Sequence, residues 1–293
     1  MKRYFSSCSR QQFLSRFQKH VANTAPKEHV VRELVRPVGL REPPSGSTKY
    51  QEGNSFRELF DDAKTNQRAR ELELQFSKGG LFDVYTFRKT QGKLFLSPQS
   101  FWRKDRALYF PHMHGRSLSD SKPQNVEDLM RGKISVVRIF TSAAGDELGK
   151  SYFRGDGSDY LKDESALNGP EDSVPTQIVE LNLTENFLKA VFAKLAIGKL
   201  RSTVPAVRHS RYFIGDRDQL PFGLREDLQI NNLYTSYVLL VDPALKIRWM
   251  GCGGADKKEY NLLWRCVRGL KKEESAGKSQ PEPSANESSI RRQ

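Results

Sequence analysis

The stretch from Tyr237 to Leu270 constrains the fold of this chain more than any other. It reads as an apolar strand, YVLLV, an Asp242-Pro243 turn, a second strand with alternating apolar residues, a glycine cluster at Gly251–Gly254 and an amphipathic helix. Strand, tight turn, strand and helix in immediate succession belong to a mixed α/β layer structure. The chain has three cysteines, Cys8, Cys252 and Cys266, with no Cys-x-x-Cys pair and no metal-ligand spacing. It is therefore neither a disulfide framework nor a zinc module.

Length and composition fit one good-sized core with polar extensions: 293 residues, 37% hydrophobic and 10% aromatic, with a net charge of +13. YVLLV is the longest clean apolar run, far short of a membrane-spanning helix, so any membrane association is peripheral. Residues 1–27 contain Lys2, Arg3, Arg10, Arg16, Lys19 and Lys27, and no acid precedes Glu28. Phe13, Phe17 and Val21 recur at helical spacing. This basic amphipathic pattern predicts a mitochondrial transit peptide; the alternative is a basic arm kept for lipid or nucleic acid. Its removal would lower the net charge to about +7. Residues 271–293 have one apolar side chain larger than alanine, Ile290, and are expected to form a disordered tail.

Between these ends two parts are expected. Residues 28–130 form an amino-terminal extension and small subdomain. It opens with the proline-rich Arg36–Pro44, which must be extended. A helix is expected from a Ser55-x-x-Glu58 capping box to Gly79-Gly80. Strands follow at Leu81–Phe87 and Lys93–Ser97, with a turn near Gly92. Phe101, Trp102, Tyr109 and Phe110 then lie among Arg103, Lys104 and Arg106. These aromatics are either a binding surface or the packing of the subdomain.

Residues 131–270 hold the main domain. Ile134–Ser142 is a β-branched strand followed by a helix-compatible stretch through Phe153. Residues 154–176 read as an inserted polar loop and Ile178–Leu183 as a second strand. Phe187, Leu188, Val191, Phe192 and Leu195 mark a helix face ending at Gly198. After the basic link KLRSTVPAVRHSR comes a short element around Tyr212–Ile214, then the strand, strand, helix unit. The expected fold class is α/β: a thioredoxin-like mixed sheet flanked by helices, with an extended α+β amino-terminal region and disordered termini.

Three segments together, RPVGLREPP, ALYFPHMHGRSL and YVLLVDPALKIRWMGCG, resemble the fungal family of mitochondrial ATPase-complex assembly factor ten, from about Arg36 to Leu270. The resemblance implies a thioredoxin-like, non-enzymatic chaperone peripheral on the matrix side of the mitochondrial inner membrane. It would act on newly made ATP synthase subunit six before that subunit joins the subunit nine ring. No cofactor is implied and no nucleic-acid partner is expected.

The residues themselves speak to chemistry. Redox members of such a fold carry a nucleophilic cysteine just after the first core strand, where a helix N-terminus stabilises the thiolate. Here that region reads Phe140-Thr141-Ser142-Ala143-Ala144-Gly145, without sulfur, and the proline that would face it falls near Ser236. Cys252 and Cys266 are the remaining redox candidates; Cys252 precedes a helix among glycines, where a small buried cysteine is the plainer reading, and a disulfide between the two is disfavoured by a reducing compartment. Cys266 belongs to a helix core. The Gly251–Gly254 cluster matches neither phosphate-loop pattern, and Asp256 would repel an anion. His112-x-His114 lacks a third metal ligand, and His209 has no acid-base partner. No catalytic, cofactor-binding or metal residue is assigned. The candidate partner-binding residues are Trp102, Tyr109, Phe110, Arg208, Arg211 and Trp249. Lys194, Lys199, Arg201, Arg208 and Arg211 form a basic cluster suited to anionic lipid or a nascent membrane subunit. Ribosomal RNA is the rival partner, and a thiol enzyme using Cys252 the rival activity.

Overall fold

A computed structural model describes residues 30–46, 82–170, 172–184 and 190–278, with isolated positions between 48 and 72. Residues 1–27, the Ser55–Glu58 capping box, Cys8 and residues 279–293 lie outside the described residues; positions 63–66, 68, 69 and 72 are helical.

The centre of the molecule is β6 (Ile134–Phe140), buried along its whole length. It pairs in parallel with β9 (Thr176–Thr184) on one side and antiparallel with β11 (Ser236–Val241) on the other. β12 (Lys246–Cys252) pairs antiparallel with β11, and β10 (Tyr212–Asp216) in parallel with β9. The order β12-β11-β6-β9 is the thioredoxin-like arrangement: two parallel strands joined by a helical crossover, flanked by an antiparallel hairpin and a closing helix. Three short strands, β3 (Leu108–Tyr109), β4 (His114–Ser117) and β5 (Pro123–Asn125), extend the same sheet to eight. Strands from both sides of residue 130 therefore share one sheet. The two-residue β1 (Arg32–Glu33) and β2 (Phe95–Leu96) pair in parallel beside it.

Alternation along the strands divides the core between two faces. Val137, Ile139, Val179, Leu181 and Leu239 face Phe110, Met130 and Leu228. Ile134, Val136, Ile178, Leu240 and Trp249 face Tyr152, Phe153 and the closing helix (Lys257–Lys278).

Four expectations are corrected. Of Leu81–Phe87, read as a strand, Leu81 lies outside the described residues and the rest belongs to helix α1 (Phe82–Thr90); β2 is shorter than Lys93–Ser97. Aromatic and β-branched content misled there, because strand propensity mostly records packing context. Thr86 is buried, and Asn232 donates 2.7 Å to the Asp83 carbonyl, fixing the helix to the loop before β11. The turn at Gly92 is present, with φ of 83°. After α2 (Val126–Met130) and α3 (Ala143–Lys150), helix α4 (Ala190–Thr203) runs through Gly198. Leu200 and Val204 pack on Leu118, Phe140, Tyr212 and Ile214, and Pro205 stops the helix instead. The 154–176 insertion is not only polar loop. It holds the hairpin β7 (Arg154–Gly155) to β8 (Ser158–Asp159), and Leu161, Leu167 and Val174 are buried. Beyond the short α5 (Phe222–Asp227), the closing helix α6 continues to Lys278, eight residues into the expected tail. Lys271 reaches Asp172 at 2.6 Å, and Glu273 meets Arg248 at 2.8 Å.

Candidate functional site

The place to look for chemistry is the junction of β6 and α3. Ser142 caps α3: its Oγ accepts from the Gly145 N–H at 2.9 Å and donates to the Tyr234 carbonyl at 2.8 Å. Thr141 donates to the Leu233 carbonyl. Gly145 is needed for closeness, since a Cβ there would lie 2.6 Å from the Thr235 carbonyl oxygen. Thr235 Oγ1 in turn donates 2.8 Å to the Gly92 carbonyl. Ala143 and Ala144 stand exposed in the first turn, where a nucleophile would be activated, and they offer methyl groups. Ser236 occupies the place expected for the facing proline, at the start of β11. A cavity of about 470 Å³ opens beside this turn, lined by Phe87, Gln91, Ala144, Glu147 and Leu148 among others.

The two described cysteines are free and buried. Cys252 Sγ receives the Leu94 and Phe95 N–H groups at 3.3 and 3.4 Å. Burial pushes its thiol up to about 11, against the pull of Lys93. Burial likewise raises Cys266 to about 11. Reactivity belongs to the thiolate, and burial disfavours that form at both. Lys93 Nζ donates to the carbonyls of Cys252 at 3.0 Å and Gly254 at 3.1 Å and pairs with Glu259, tying the glycine cluster down. With Gly253 at φ 67°, that cluster is a tight turn.

Beneath α3 lies a charge network that the sequence reading missed. Arg138 and Glu180 are opposite one another in the β6–β9 register, each 1% exposed. Arg138 Nε meets Glu180 at 3.1 Å and its Nη1 meets Asp146 at 2.7 Å, while Arg208 pairs with the other Glu180 oxygen. Burial draws the Arg138 guanidinium down from its usual range and Arg208 down to about 10. Burial opposes ionisation of Asp146 too, but Arg138 and Lys150 outweigh it and hold that carboxyl low. Desolvation prevails at Glu164, which is raised although Arg211 lies 2.7 Å away. Opposite charges at matching positions inside two apolar strands, ISVVRIF and TQIVELNLT, were the available signal.

The six candidate contact residues do not form one surface. Phe110 and Trp249 are fully buried, and Trp249 Nε1 donates 2.9 Å to the Pro98 carbonyl. Trp102 is buried and donates to the Val35 carbonyl at 3.3 Å. Arg208 is buried in the ion network. Tyr109 and Arg211 are half-buried, and Lys246 stands over the Tyr109 ring at 5.1 Å. His112 pairs internally with Glu127, while His114 is exposed on β4.

A family model described as ATP10 protein matches residues 18–270. Over 272 residues the chain is 50% identical to "Mitochondrial ATPase complex subunit ATP10" of Eremothecium gossypii, covering 93% of this chain and 97% of that protein. The Saccharomyces cerevisiae protein of the same description is 45% identical over 91% of this chain and 97% of its own length. Solved structures overlap at low scores. A secreted thiol-disulfide isomerase from Corynebacterium glutamicum gives a TM-score of 0.37 at 10% identity, covering 60% of this chain and 92% of that one. The yeast mitochondrial 1-Cys peroxiredoxin gives 0.37 at 12%, covering 58% and 77%.

Proposed function

The chain belongs to the ATP10 protein family, and from that premise we propose that it is a mitochondrial, non-enzymatic chaperone for assembly of the membrane sector of ATP synthase. In this reading residues 1–27 direct import, and the folded part works on the matrix side of the inner membrane. There it holds newly made subunit six until that subunit meets the subunit nine ring. The relatives' descriptions name the mitochondrial ATPase complex, which supports the setting. The observation that carries the non-enzymatic part is the β6–α3 junction. Ser142, Ala143 and Ala144 fill the turn where a thiol nucleophile would stand, and both described thiols are buried with raised pKa values. Among the described residues no helix is long and apolar enough to cross a membrane, which accords with peripheral action. Of the six candidate contact residues, Tyr109 and Arg211 retain surface for a client.

The test is capture of the tagged protein from mitochondria after pulse-labelling the organelle's own translation products. Labelled subunit six in the eluate is the expected result. Ribosomal RNA and proteins without that subunit would overturn the reading in favour of an RNA-associated role.

A further inference from the structure

Helix α6 carries a one-sided row of cations, while Lys257 and Lys271 are paired with Asp156 and Asp172. Its carboxylates point to the body of the protein: Glu259 to Lys93, Glu273 to Arg248 at 2.8 Å and Glu274 to Lys104 at 3.5 Å. Its exposed stripe is Lys258, Asn261, Arg265, Arg268 and Lys272, at steps of three and four residues. That spacing makes one line along the helix, about 21 Å from first to last. Among the described residues Lys258, Arg268 and Lys272 have no carboxylate within salt-bridge distance, and Arg265 donates to the Gln99 carbonyl at 3.2 Å.

This arrangement does nothing for the helix. Lys258 sits in the first turn, where the macrodipole favours acids, and cations three and four apart repel. Nor does the stripe cover apolar core, which is the work of Leu263, Cys266, Val267 and Leu270 on the other side. Beside it runs a groove of about 1090 Å³ lined by Leu96, Leu148 and Leu262 together with Lys258, Arg265 and Arg268; of the carboxylates there, Glu259 is paired with Lys93 and Asp256 sits at the helix start. Leu96 is 46% exposed there, an apolar side chain beside the basic stripe.

We propose that this face of α6 docks the protein on an anionic phospholipid surface, with Lys258, Arg265, Arg268 and Lys272 over the headgroups and Leu96 at the boundary. A rigid row of cations, three of them without a carboxylate partner among the described residues, complements a flat layer of negative charge, and a neighbouring exposed leucine adds the apolar contact that interfacial elements use. The basic cluster expected from sequence is less suited: Arg208 is buried, Arg211 is bonded to Glu164, and Arg201 donates to the carbonyls of Leu118 and Ser119. The proposal gives the peripheral placement in the preceding reading a physical surface, and it can fail or stand without any client being bound.

The experiment is co-sedimentation of the full purified chain with phosphatidylcholine vesicles, with and without an anionic phospholipid. The variant Lys258→Gln/Arg268→Gln/Lys272→Gln is compared with Lys122→Gln/Lys162→Gln/Lys199→Gln. Both lose three exposed cations and both keep residues 1–27, so net charge and the basic amino terminus cancel. Each cation near an anionic surface is worth roughly five-fold in partition, so the α6 variant should bind on the order of a hundred-fold more weakly and the control close to wild type. Equal loss in the two variants, or equal binding to neutral and anionic vesicles, overturns the assignment. So does an α6 variant that keeps vesicle binding while losing an RNA or an acidic peptide. Thermal unfolding of both variants near the wild-type temperature keeps the comparison free of misfolding.

Discussion

Replacing Glu180 with glutamine removes the one carboxylate that serves two buried guanidinium groups. Arg138 and Glu180 are 1% exposed and Arg208 is 5% exposed, so water does not reach them to compensate. Breaking a buried ion pair from one side costs about 3–5 kcal/mol, because a charge stays buried without its partner. Asp146 remains 2.7 Å from Arg138, and Arg208 also donates to the Leu161 carbonyl, so the lower end, about 3 kcal/mol, is expected. In urea unfolding of the full chain, a dependence at the upper end of about 1–3 kcal/mol per molar turns that loss into a midpoint lowered by about 1 M. Arg138→Met/Glu180→Leu/Arg208→Met removes all three charges together and should recover most of the loss, since well-packed apolar replacements of a buried triad are often neutral. A midpoint shift below about 0.3 M for Glu180→Gln would refute the reasoning. A triple variant as unstable as the single would show that side-chain shape matters there, not charge.

Two further predictions concern thiols. The Cys252 and Cys266 groups ionise near 9 when unfolded but only at about 11 when folded, so the native state holds protons that the unfolded state has lost between those values. Stability should be full below pH 9 and fall by about 2–3 kcal/mol per thiol as pH rises towards 11; Cys252→Ala should flatten that slope, and an unchanged slope would sink the argument. Ala144→Cys places a thiol in the exposed first turn of α3; because Ser142 already takes the Gly145 N–H, its pKa should stay near the ordinary value of about 8.5, with alkylation still faster than at the buried Cys252, whereas a pKa far below that value would show that this turn still activates anions.

The sheet was legible because its strands are buried on both faces and therefore read as near-continuous apolar runs. Ile134–Phe140 and Tyr237–Val241 carry that signature, and the hairpin and helix after Asp242 follow from turn chemistry and helical spacing. What failed was context. The segment Phe82–Thr90 has the side chains of a strand, yet it is a helix that buries Thr86 and is held to the loop before β11 by Asn232. Gly198 looked like a stop, but its exposed position in α4 costs little when the next turn packs on Tyr212. For the contact residues, aromatic type alone did not distinguish Phe110, at the centre of the core, from a surface group. Neither Arg138 nor the α6 stripe was visible until strand register and helix orientation decided which charges face inward.

A thioredoxin-like junction without its chemistry is not an empty site, because the groups that would serve a nucleophile are engaged elsewhere. The α3 N-terminus, whose free N–H donors would stabilise a thiolate, is capped by Ser142. The loop before β11, which would meet a substrate, is bonded by Thr141 and Ser142 on one side and tied to Gly92 on the other. Three chain segments distant in sequence are thereby joined at one point, directly above the buried Arg138 network. A reactive thiol needs a donor-rich, accessible turn; here those groups bind one another and hold the frame rigid. The bonds at this junction are structural, so substitutions at Ser142 or Thr235 should register as lost stability, read as a lowered urea midpoint.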